Sequence, residues 1–487
     1  MQEFSYNYLE KKLKTKDFYF WQSLAETRAL DLFRQASRRV PAYKDFLKKN
    51  KINSDKIKKI SDFKNLPLLN KKNYILQYSL NEVCWDGKLT KGGIISQSSG
   101  TTGEPVFWPR FTINDKRTAL LHKLFFKKFY SSYEKDTLFI VCFYLGAHVA
   151  GIITSNAIRD LMDTGMSGSL VTAGLNKKDI LNSIKKLSKY HKQTILIGYP
   201  PSLMDIICDE ESESINWKEH NIKFMFSAES FPEKWRNKLY KKVGIDDVEN
   251  NGFNVYGSTD LGFMGHETPF TIRLRQLIEL KDLDRRKLGI ENSHVPGIYQ
   301  YHTWNKYFES YKNELVCTSD SGVPLVRYNT HDVGMVMSPE KIDQEYSDFD
   351  LLKTDDWHLP VLLVFGRSNY SATLYGVNIY PEHIREVLTH NEIIQYFSGK
   401  FFMKTVFGEN HQALEIHLES SGKKIDVDLS EIQQLFSKYL KDINMEYKKL
   451  RHIVGKRVFP ELIIYEKGSE EFKNLKAKHK YIIKEKN

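Results

Sequence analysis

The sequence predicts an α/β protein with a large N-terminal domain of packed, mostly parallel sheets and a small α+β domain at its C-terminal end. Three observations predict it. The 487 residues are too many for one compact core. Between about 90 and 365, short apolar runs alternate with helical segments, which is typical of parallel sheets covered by helices. Near residue 366 a new strand-and-helix pattern begins, so we expect domains at 1–365 and 366–487.

Local patterns place the individual elements. Residues 1 to about 80 read as helices and loops, and the helical spacing of residues 21–43 stops at Pro41. In the large domain we expect strands at 137–144, 193–198, 223–226, 252–256, 314–317 and 361–365, and helices at 177–190 and 232–243. In the small domain we expect strands at 373–380, 401–407, 413–418 and 457–465, with helices from 381 and over 429–440.

Composition excludes several classes of protein. With 41% hydrophobic and 27% charged residues, the chain is globular rather than disordered. The formal charge of +11 is spread over short lysine runs such as Lys71-Lys72, which disfavours nucleic acid as a partner. The four cysteines form no CxxC pair, which leaves zinc and thioredoxin-type motifs unsupported and favours a reduced, cytoplasmic location. The apolar run 138–154 is short for a membrane span.

The strongest chemical signal is the run SQSSGTTGEP at residues 96–105. Glycine lets backbone N–H groups approach an anion closely, and serine and threonine add hydroxyl donors, so the run suits a polyphosphate. It is not a Walker A loop, because GxxxxGK[ST] is absent. A surface loop without a ligand is the alternative. The candidate phosphate-binding residues are Ser98, Ser99, Gly100, Thr101, Thr102 and Gly103.

Five ordered segments together resemble the adenylate-forming superfamily, which includes acyl-coenzyme A synthetases and nonribosomal-peptide adenylation domains. Within it, the chain is most similar to the phenylacetate–coenzyme A ligase family. The resemblance covers most of the chain. The segments are SSGTTGEP at 98–105, VYGSTD at 255–260, PLVRYNTHD at 324–332, GRSN at 366–369 and GVNIYP at 376–381.

This resemblance implies a role for each matching residue. Tyr256 would stack on adenine, Asp260 would hold Mg²⁺ against the phosphates, and Asp332 would accept hydrogen bonds from both ribose hydroxyls. Arg367 would contact ribose or phosphate. The other expected members of the site are Gly257, Ser258 and Thr259 beside Tyr256, and Ser227, Ala228 and Glu229 along the adenine pocket.

The resemblance also implies a lysine near the C-terminus that bridges the carboxylate and the α-phosphate during adenylation. Lys478 is our candidate, with Lys476 and Lys480 as rivals and a solvated tail lysine as the alternative. The acid would lie against residues 143–148 and 198–202, and His266 and Glu267 would border that pocket. The expected substrate residues are Tyr144, Gly146, His148 and Tyr199.

Four positions depart from the family pattern. Asp260 stands where glutamate is usual, His331 and Ala477 where glycine is usual, and Asn369 where the hinge often has aspartate. The shorter Asp260 side chain would reach Mg²⁺ through water, and His331 would restrict the local turn. Asn369 would alter the rotation of the small domain, which in the family is mobile.

The implied reaction uses ATP and Mg²⁺ to convert a small carboxylic acid into an acyl-AMP. No carrier domain is evident, so the acceptor is external: coenzyme A, the phosphopantetheine of a free-standing carrier protein, or an amine. Three hypotheses stay open. They are an acid–thiol ligase, an amide-forming ligase that uses the same adenylate, and a nucleotide-binding protein that has lost catalysis.

Overall fold

A computed structural model describes residues 4–89, 93–98, 106–146, 149–212, 214–281, 283–290, 295–367, 372–408, 411–422 and 428–473. These residues form two compact units. The first comprises the described parts of 1–98, 107–198 and 215–366, and the second comprises Val106, the described parts of 199–214 and the described residues from 367 onward. The domain boundary between residues 365 and 366, which the sequence suggests, stays a prediction.

Helices and strands alternate through most of the chain. The helices are α1 Tyr6–Thr15, α2 Phe18–Arg39, α3 Pro41–Lys49, α4 Thr112–Tyr130, α5 Val149–Asp163, α6 Lys177–Leu187, α7 Pro200–Ile207, α8 Glu233–Val243, α9 Pro269–Leu280, α10 Pro339–Glu345, α11 Pro381–Leu388, α12 Asn391–Ile394, α13 Leu429–Ile443, α14 Met445–Val454 and α15 Glu470–Lys473. The strands are β1 Ile94–Ser98, β2 Val106–Arg110, β3 Thr137–Cys142, β4 Gly168–Val171, β5 Gln193–Gly198, β6 Ile222–Ser227, β7 Gly252–Ser258, β8 Gly262–His266, β9 Gly297–Gln300, β10 Lys306–Tyr311, β11 Glu314–Asp320, β12 Pro324–Met337, β13 Val361–Arg367, β14 Ala372–Leu374, β15 Val377–Ile379, β16 Phe397–Phe407, β17 Gln412–Ser420 and β18 Glu461–Tyr465.

The centre of the first unit is an eleven-stranded sheet in the order β10-β11-β12-β13-β9-β8-β7-β6-β5-β3-β4. The run from β4 to β7 is parallel, and β3 and β5 are buried along their whole length. Parallel strands that are buried on both faces are expected to be rich in apolar residues, as the central residues of β3 and β5 are. This half confirms the predicted α/β class.

The other half of the sheet corrects the expectation of mostly parallel sheets. The pairs β7–β8, β8–β9, β9–β13, β11–β12 and β10–β11 are all antiparallel. Three of these strand pairs are joined by tight connections, at 259–261, 312–313 and 321–323. A short connection reverses the chain, whereas a parallel neighbour needs a crossover of a dozen or more residues. The sheet is therefore mixed.

The second unit contains a three-stranded sheet, β16-β17-β18, and the hairpin β14–β15. Strands β16 and β17 pair antiparallel, whereas β17 and β18 pair in parallel across the helices α13 and α14. Within this unit the ring of Tyr199 packs so closely on Gly376 that a Cβ there would lie 2.8 Å from the ring. The α+β character predicted for the C-terminal residues is confirmed.

The apolar run at 138–154 divides between β3 and the start of α5. Its strand is buried in the large sheet, which explains its hydrophobicity. Over the residues that the structure describes, no helix combines the length and the hydropathy that crossing a bilayer requires.

Candidate functional site

Tyr256 and Asp332, which come from different predicted motifs, meet in the first unit. Tyr256 lies near the end of β7 and Asp332 lies in the middle of β12. The Tyr256 hydroxyl donates a hydrogen bond to Asp332 Oδ2. The Asp332 residue is 8% exposed, and its backbone N–H donates to Thr330 Oγ1 at 3.1 Å. A nearly buried carboxylate therefore stands beside a partly exposed aromatic ring.

His331 occupies the left-handed region, with φ of +58°. Its backbone N–H donates to Asn329 Oδ1 at 2.8 Å, which holds the turn. Histidine is one of the residues enriched in this region among non-glycine residues. The sequence predicts that His331 restricts the turn, but the turn has a conformation that glycine would also favour.

Asp260 lies at the turn after β7 and is 9% exposed. Its Oδ2 accepts a hydrogen bond from the Tyr328 hydroxyl at 2.5 Å and lies 3.5 Å from Lys71 Nζ. Tyr328 comes from the same motif as Asp332, and Asp260 from the same motif as Tyr256, so the same two predicted motifs meet here a second time. Within the described ranges, no group of three or more histidine, cysteine, aspartate and glutamate side chains is placed to hold a metal ion.

Lys71 was not singled out as a site residue, because it reads as part of a solvated lysine run. Its backbone neighbourhood is fixed to β12. Arg327 Nη1 donates to the carbonyl of Leu66 at 2.6 Å, Leu69 N–H donates to Arg327 O at 3.0 Å, and Asn329 N–H donates to Leu69 O at 2.8 Å. The N-terminal segment thereby adds a parallel bridge to β12. This bridge brings Lys71 to the Asp260 carboxylate.

The turn that carries Asp260 is also held from the other side, by Lys306. Lys306 Nζ donates to Leu261 O at 2.6 Å and to the hydroxyl of Ser321 at 3.1 Å. The Ser321 hydroxyl donates to the same carbonyl at 2.8 Å. Burial lowers the pKa of Lys306 to about 8, because an apolar environment disfavours the charged ammonium.

Ser98 is the one predicted phosphate-loop residue that the structure describes. Its Oγ accepts a hydrogen bond from Trp108 Nε1 at 3.1 Å. The Trp108 ring lies edge-on to Tyr328, with 6.4 Å between centroids, and 5.8 Å from Lys71 Nζ. The base of the predicted loop thus lies next to the Asp260 cluster. The remaining predicted loop residues, Ser99, Gly100, Thr101, Thr102 and Gly103, lie outside the described residues.

The predicted adenine segment 227–229 lies beside β7. Ser227 Oγ donates to Val255 O at 3.0 Å, and Asn254 Nδ2 donates to Glu229 O at 2.7 Å. Ala228 has a left-handed φ of +79°, an uncommon conformation for a residue with a Cβ. The segment therefore turns sharply where it passes Tyr256.

Gly257, Ser258 and Thr259 complete the stretch from β7 to the Asp260 turn and are partly exposed. Leu261 N–H donates to Ser258 Oγ at 3.2 Å. The turn thus has an internal hydrogen bond in addition to those that Lys306 and Ser321 donate to it.

Two residues that the motifs did not mark lie against Tyr256. The Tyr299 ring stacks on the Tyr256 ring, with centroids 5.4 Å apart and planes at 20°. Asn254 lies two residues before Tyr256, so it shares a face of β7 with it. Asn254 Oδ1 is buried and has no hydrogen-bond partner among the described residues.

Two residues expected to border the acid pocket are instead enclosed in the core. His266 and Glu267 are both 0% exposed. His266 Nδ1 hydrogen-bonds Glu267 O at 2.6 Å, and burial lowers the pKa of His266 to about 4. Glu267 accepts from Arg236 Nη2 at 2.8 Å. These residues serve the packing of the first unit, so the expectation that they border a pocket is wrong.

The structure does not bring the other predicted site residues together within one unit. Tyr144 and Gly146 follow β3 in the first unit, and Tyr199 belongs to the second. Arg367 ends β13, and its side chain is not described. Beyond the described residues lie His148, Asn369, Lys476, Ala477, Lys478 and Lys480.

Comparisons with known proteins connect this arrangement to a fold. No protein-family model and no curated protein matches the chain. The solved structure of a 2-hydroxyisobutyryl-CoA ligase in complex with 2-HIB-AMP and CoA, in the thioesterification state, matches with a TM-score of 0.65 and 14% identity, covering 99% of this chain and 95% of the other. Its open conformation matches with a TM-score of 0.57 at 14% identity, covering 99% and 97%.

A second kind of enzyme has the same fold. The acyl acid amido synthetase AtGH3.15, in complex with 2,4-DB, matches with a TM-score of 0.50 and 12% identity, covering 100% of this chain and 96% of the other. The narrower resemblance to phenylacetate–coenzyme A ligases stays a prediction. The chain has the fold of the adenylate-forming enzymes.

Proposed function

We propose that this chain is an enzyme that activates a carboxylic acid with ATP as an acyl-AMP and transfers the acyl group to a thiol. The observation that carries the proposal is the meeting of Tyr256 with Asp332, and of Asp260 with Lys71, at one end of β7. An aromatic face, a ribose-binding carboxylate, a carboxylate for a cation and an ammonium group are the groups that a Mg·ATP complex needs. The fold supports it, since the ligase of the same fold holds 2-HIB-AMP.

The nucleoside half of ATP would bind along β7. The exposed face of Tyr256 takes the adenine ring, and Asp332 accepts from the ribose hydroxyls. Asn254 Oδ1 accepts from the exocyclic amine of adenine, which satisfies a buried acceptor that otherwise costs about 1–3 kcal/mol. The Ser227–Glu229 turn lines the opposite side of the base.

The phosphates would lie between Asp260, Lys71 and the loop that follows Ser98. Mg²⁺ is usually bound by one or two carboxylates together with substrate phosphates and water, so the single carboxylate of Asp260 fits it. When bound, the cation neutralises phosphate charge. Lys71 adds a positive charge, Thr259 is the proposed catalytic neighbour of Asp260, and Lys306 and Ser258 hold the turn that positions Asp260.

In the reaction, a carboxylate oxygen of the acid bonds to the α-phosphorus of ATP while the bond from that phosphorus to the bridging oxygen breaks and pyrophosphate leaves. The products are acyl-AMP and pyrophosphate. Alignment and charge neutralisation supply most of the acceleration in such transfers. In this proposal Tyr144, Gly146, His148 and Tyr199 hold the acid.

Two further residues act on the phosphates in this proposal. Lys478 stabilises the charge that develops between the carboxylate and the α-phosphate. Arg367 contacts ribose or phosphate.

The acyl acceptor would be the thiol of coenzyme A or of a carrier protein's phosphopantetheine, which attacks the acyl carbon and releases AMP. An amine acceptor is the second candidate, since an acyl acid amido synthetase has the same fold. A protein that binds ATP without catalysis is the third.

ATP–pyrophosphate exchange across a panel of carboxylic acids tests the adenylation step. We expect exchange with at least one acid, and a loss of about 100-fold or more in kcat/KM for Asp332→Ala, because two hydrogen bonds to a charged group are lost. Asp348→Ala is the control, since Asp348 is exposed and lies in a different segment. ATP binding without exchange for every acid would contradict the proposal and favour the third hypothesis.

Dependence of AMP release on the acceptor separates the other two hypotheses. We expect coenzyme A to accelerate AMP release with the exchange-active acid, and amines to leave it unchanged. The reverse result would make the chain an amide-forming ligase. Lys478→Ala should abolish exchange, whereas full activity in that variant would move the role to Lys476 or Lys480.

A further inference from the structure

The aromatic ring of Tyr299 supports the face of Tyr256 that points away from solvent. The two rings are stacked, with 5.4 Å between centroids and 20° between planes. Tyr299 is 4% exposed, whereas Tyr256 is partly exposed. A ring that is covered on one face by another ring can offer only its opposite face to a ligand.

The hydroxyl of Tyr299 is fixed as firmly as its ring. Asn254 Nδ2 lies 3.3 Å from the Tyr299 hydroxyl and also donates to Glu229 O. Asn254 is held in turn, because its backbone N–H donates to the buried carboxylate of Glu267 at 2.7 Å. The support beneath Tyr256 is therefore connected to the core of the unit.

A glycine makes room for this ring. Gly297 lies two residues before Tyr299 on β9, so both residues face the same side of the strand. A Cβ at position 297 would lie 2.6 Å from both Cε2 and the hydroxyl oxygen of Tyr299. The Tyr299 side chain thus lies along its own strand, over Gly297, and any larger residue there would displace it.

We propose that Tyr299 is a positioning residue for the nucleobase: it fixes the plane of Tyr256 so that adenine stacks on the opposite face. This inference rests on the proposed function. Aromatic pairs contribute enough beyond simple burial to change affinity by about 2- to 10-fold. The effect belongs to ATP binding and not to acyl transfer, because Tyr299 lies behind the base-binding face.

Four variants test the assignment. Tyr299→Leu removes the ring, and Tyr299→Phe keeps the ring while removing the hydroxyl. Gly297→Ala leaves the residue at position 299 a tyrosine, but the added methyl group displaces its ring. Tyr301→Leu is the matched control, because Tyr301 is a neighbouring tyrosine that is also buried, at 0% exposure, and packs against Phe308 instead. Melting temperatures show how far each variant is destabilised.

The readouts are the Kd of ATP from calorimetry and the KM values of ATP and acid from pyrophosphate exchange. We expect Tyr299→Leu and Gly297→Ala to raise the Kd and KM of ATP about 3- to 10-fold, with kcat and the KM of the acid unchanged. Tyr299→Phe should lie close to the wild type. A further variant that combines Tyr299→Leu with Gly297→Ala should be no worse than Tyr299→Leu alone, since both changes act through the Tyr299 ring.

Two results would overturn the inference, and they differ from failure of the proposed function. If Tyr299→Leu and Tyr301→Leu change the Kd of ATP equally, Tyr299 acts only through general stability. If kcat falls while the KM of ATP is constant, Tyr299 does not act on the nucleobase. A wild-type protein that binds no ATP would instead refute the proposed function and this inference together.

Discussion

Replacing Arg236 with methionine tests the buried ion pairs that lie behind the candidate site. The side chains of Arg236, Glu233 and Glu267 are all fully buried. Arg236 Nε donates to Glu233 at 2.9 Å, Nη2 donates to Glu267 at 2.8 Å and Nη1 donates to Gly252 O at 2.8 Å. Methionine keeps much of the volume and removes every one of these donors.

The expected cost follows from what the substitution leaves behind. Removing one partner of a buried ion pair typically costs about 3–5 kcal/mol, because a desolvated charge loses its compensation. Arg275 Nη1 stays 3.6 Å from Glu233 and 3.5 Å from Glu267, so two carboxylates are left with one guanidinium. We therefore expect the lower half of that range, or a fall in melting temperature of about 4–6 °C for a unit of this size.

Thermal unfolding followed by tryptophan fluorescence measures this effect. Arg286→Met is the matched control, because the Arg286 side chain is 80% exposed and its ion pair with Asp284 lies in solvent. Exposed ion pairs contribute little to the free energy of unfolding, so the control should have the melting temperature of the wild type. Adding Glu267→Gln to Arg236→Met should recover part of the loss. Equal melting of Arg236→Met and Arg286→Met would refute the reasoning.

Two further results are expected. Burial lowers the pKa of His122 and His266 from an ordinary 6.5 to about 4, so below pH 6.5 the unfolded chain binds more protons than the folded one. The stability present above pH 6.5 is therefore lost as the pH falls towards 4, by at most about 3 kcal/mol per histidine. The midpoints of urea unfolding at pH 7 and pH 5 measure this loss. Lys71→Gln should raise the KM of ATP about 10-fold by removing the ammonium beside Asp260. The control Lys72→Gln changes an exposed lysine and should leave the KM of ATP unchanged. The same KM of ATP in both variants would contradict the role of Lys71.

The local sequence pattern predicts many of the helices and strands. The strand predicted at 193–198 has those bounds in the structure, and the helix that was expected to stop at Pro41 ends at Arg39, with Pro41 starting the next. Such features depend on near neighbours in sequence. The antiparallel half of the sheet was missed because apolar runs mark strands but not their directions, which depend on the length of the connections.

The sequence predicts only those site residues that lie in recognisable motifs. Tyr256, Asp260 and Asp332 were selected from motifs, and the structure brings Tyr256 to Asp332. Lys71 and Tyr299 lie in segments whose local sequence resembles ordinary surface and strand. Their places arise from contacts across long stretches of chain, through the bridge of Leu69 to Tyr328 and the stacking on Tyr256.

The departures from the family pattern can be weighed by what surrounds them. His331 adopts a left-handed turn and is tied to Asn329, so the chain enters Asp332 through a turn that glycine would also favour. Asp260, although shorter than glutamate, has the Tyr328 hydroxyl and Lys71 at its carboxylate. Both contacts hold the shorter carboxylate in place at the turn after β7. These two departures therefore give no support to the hypothesis of lost catalysis, which is left to rest on Asn369 and Ala477.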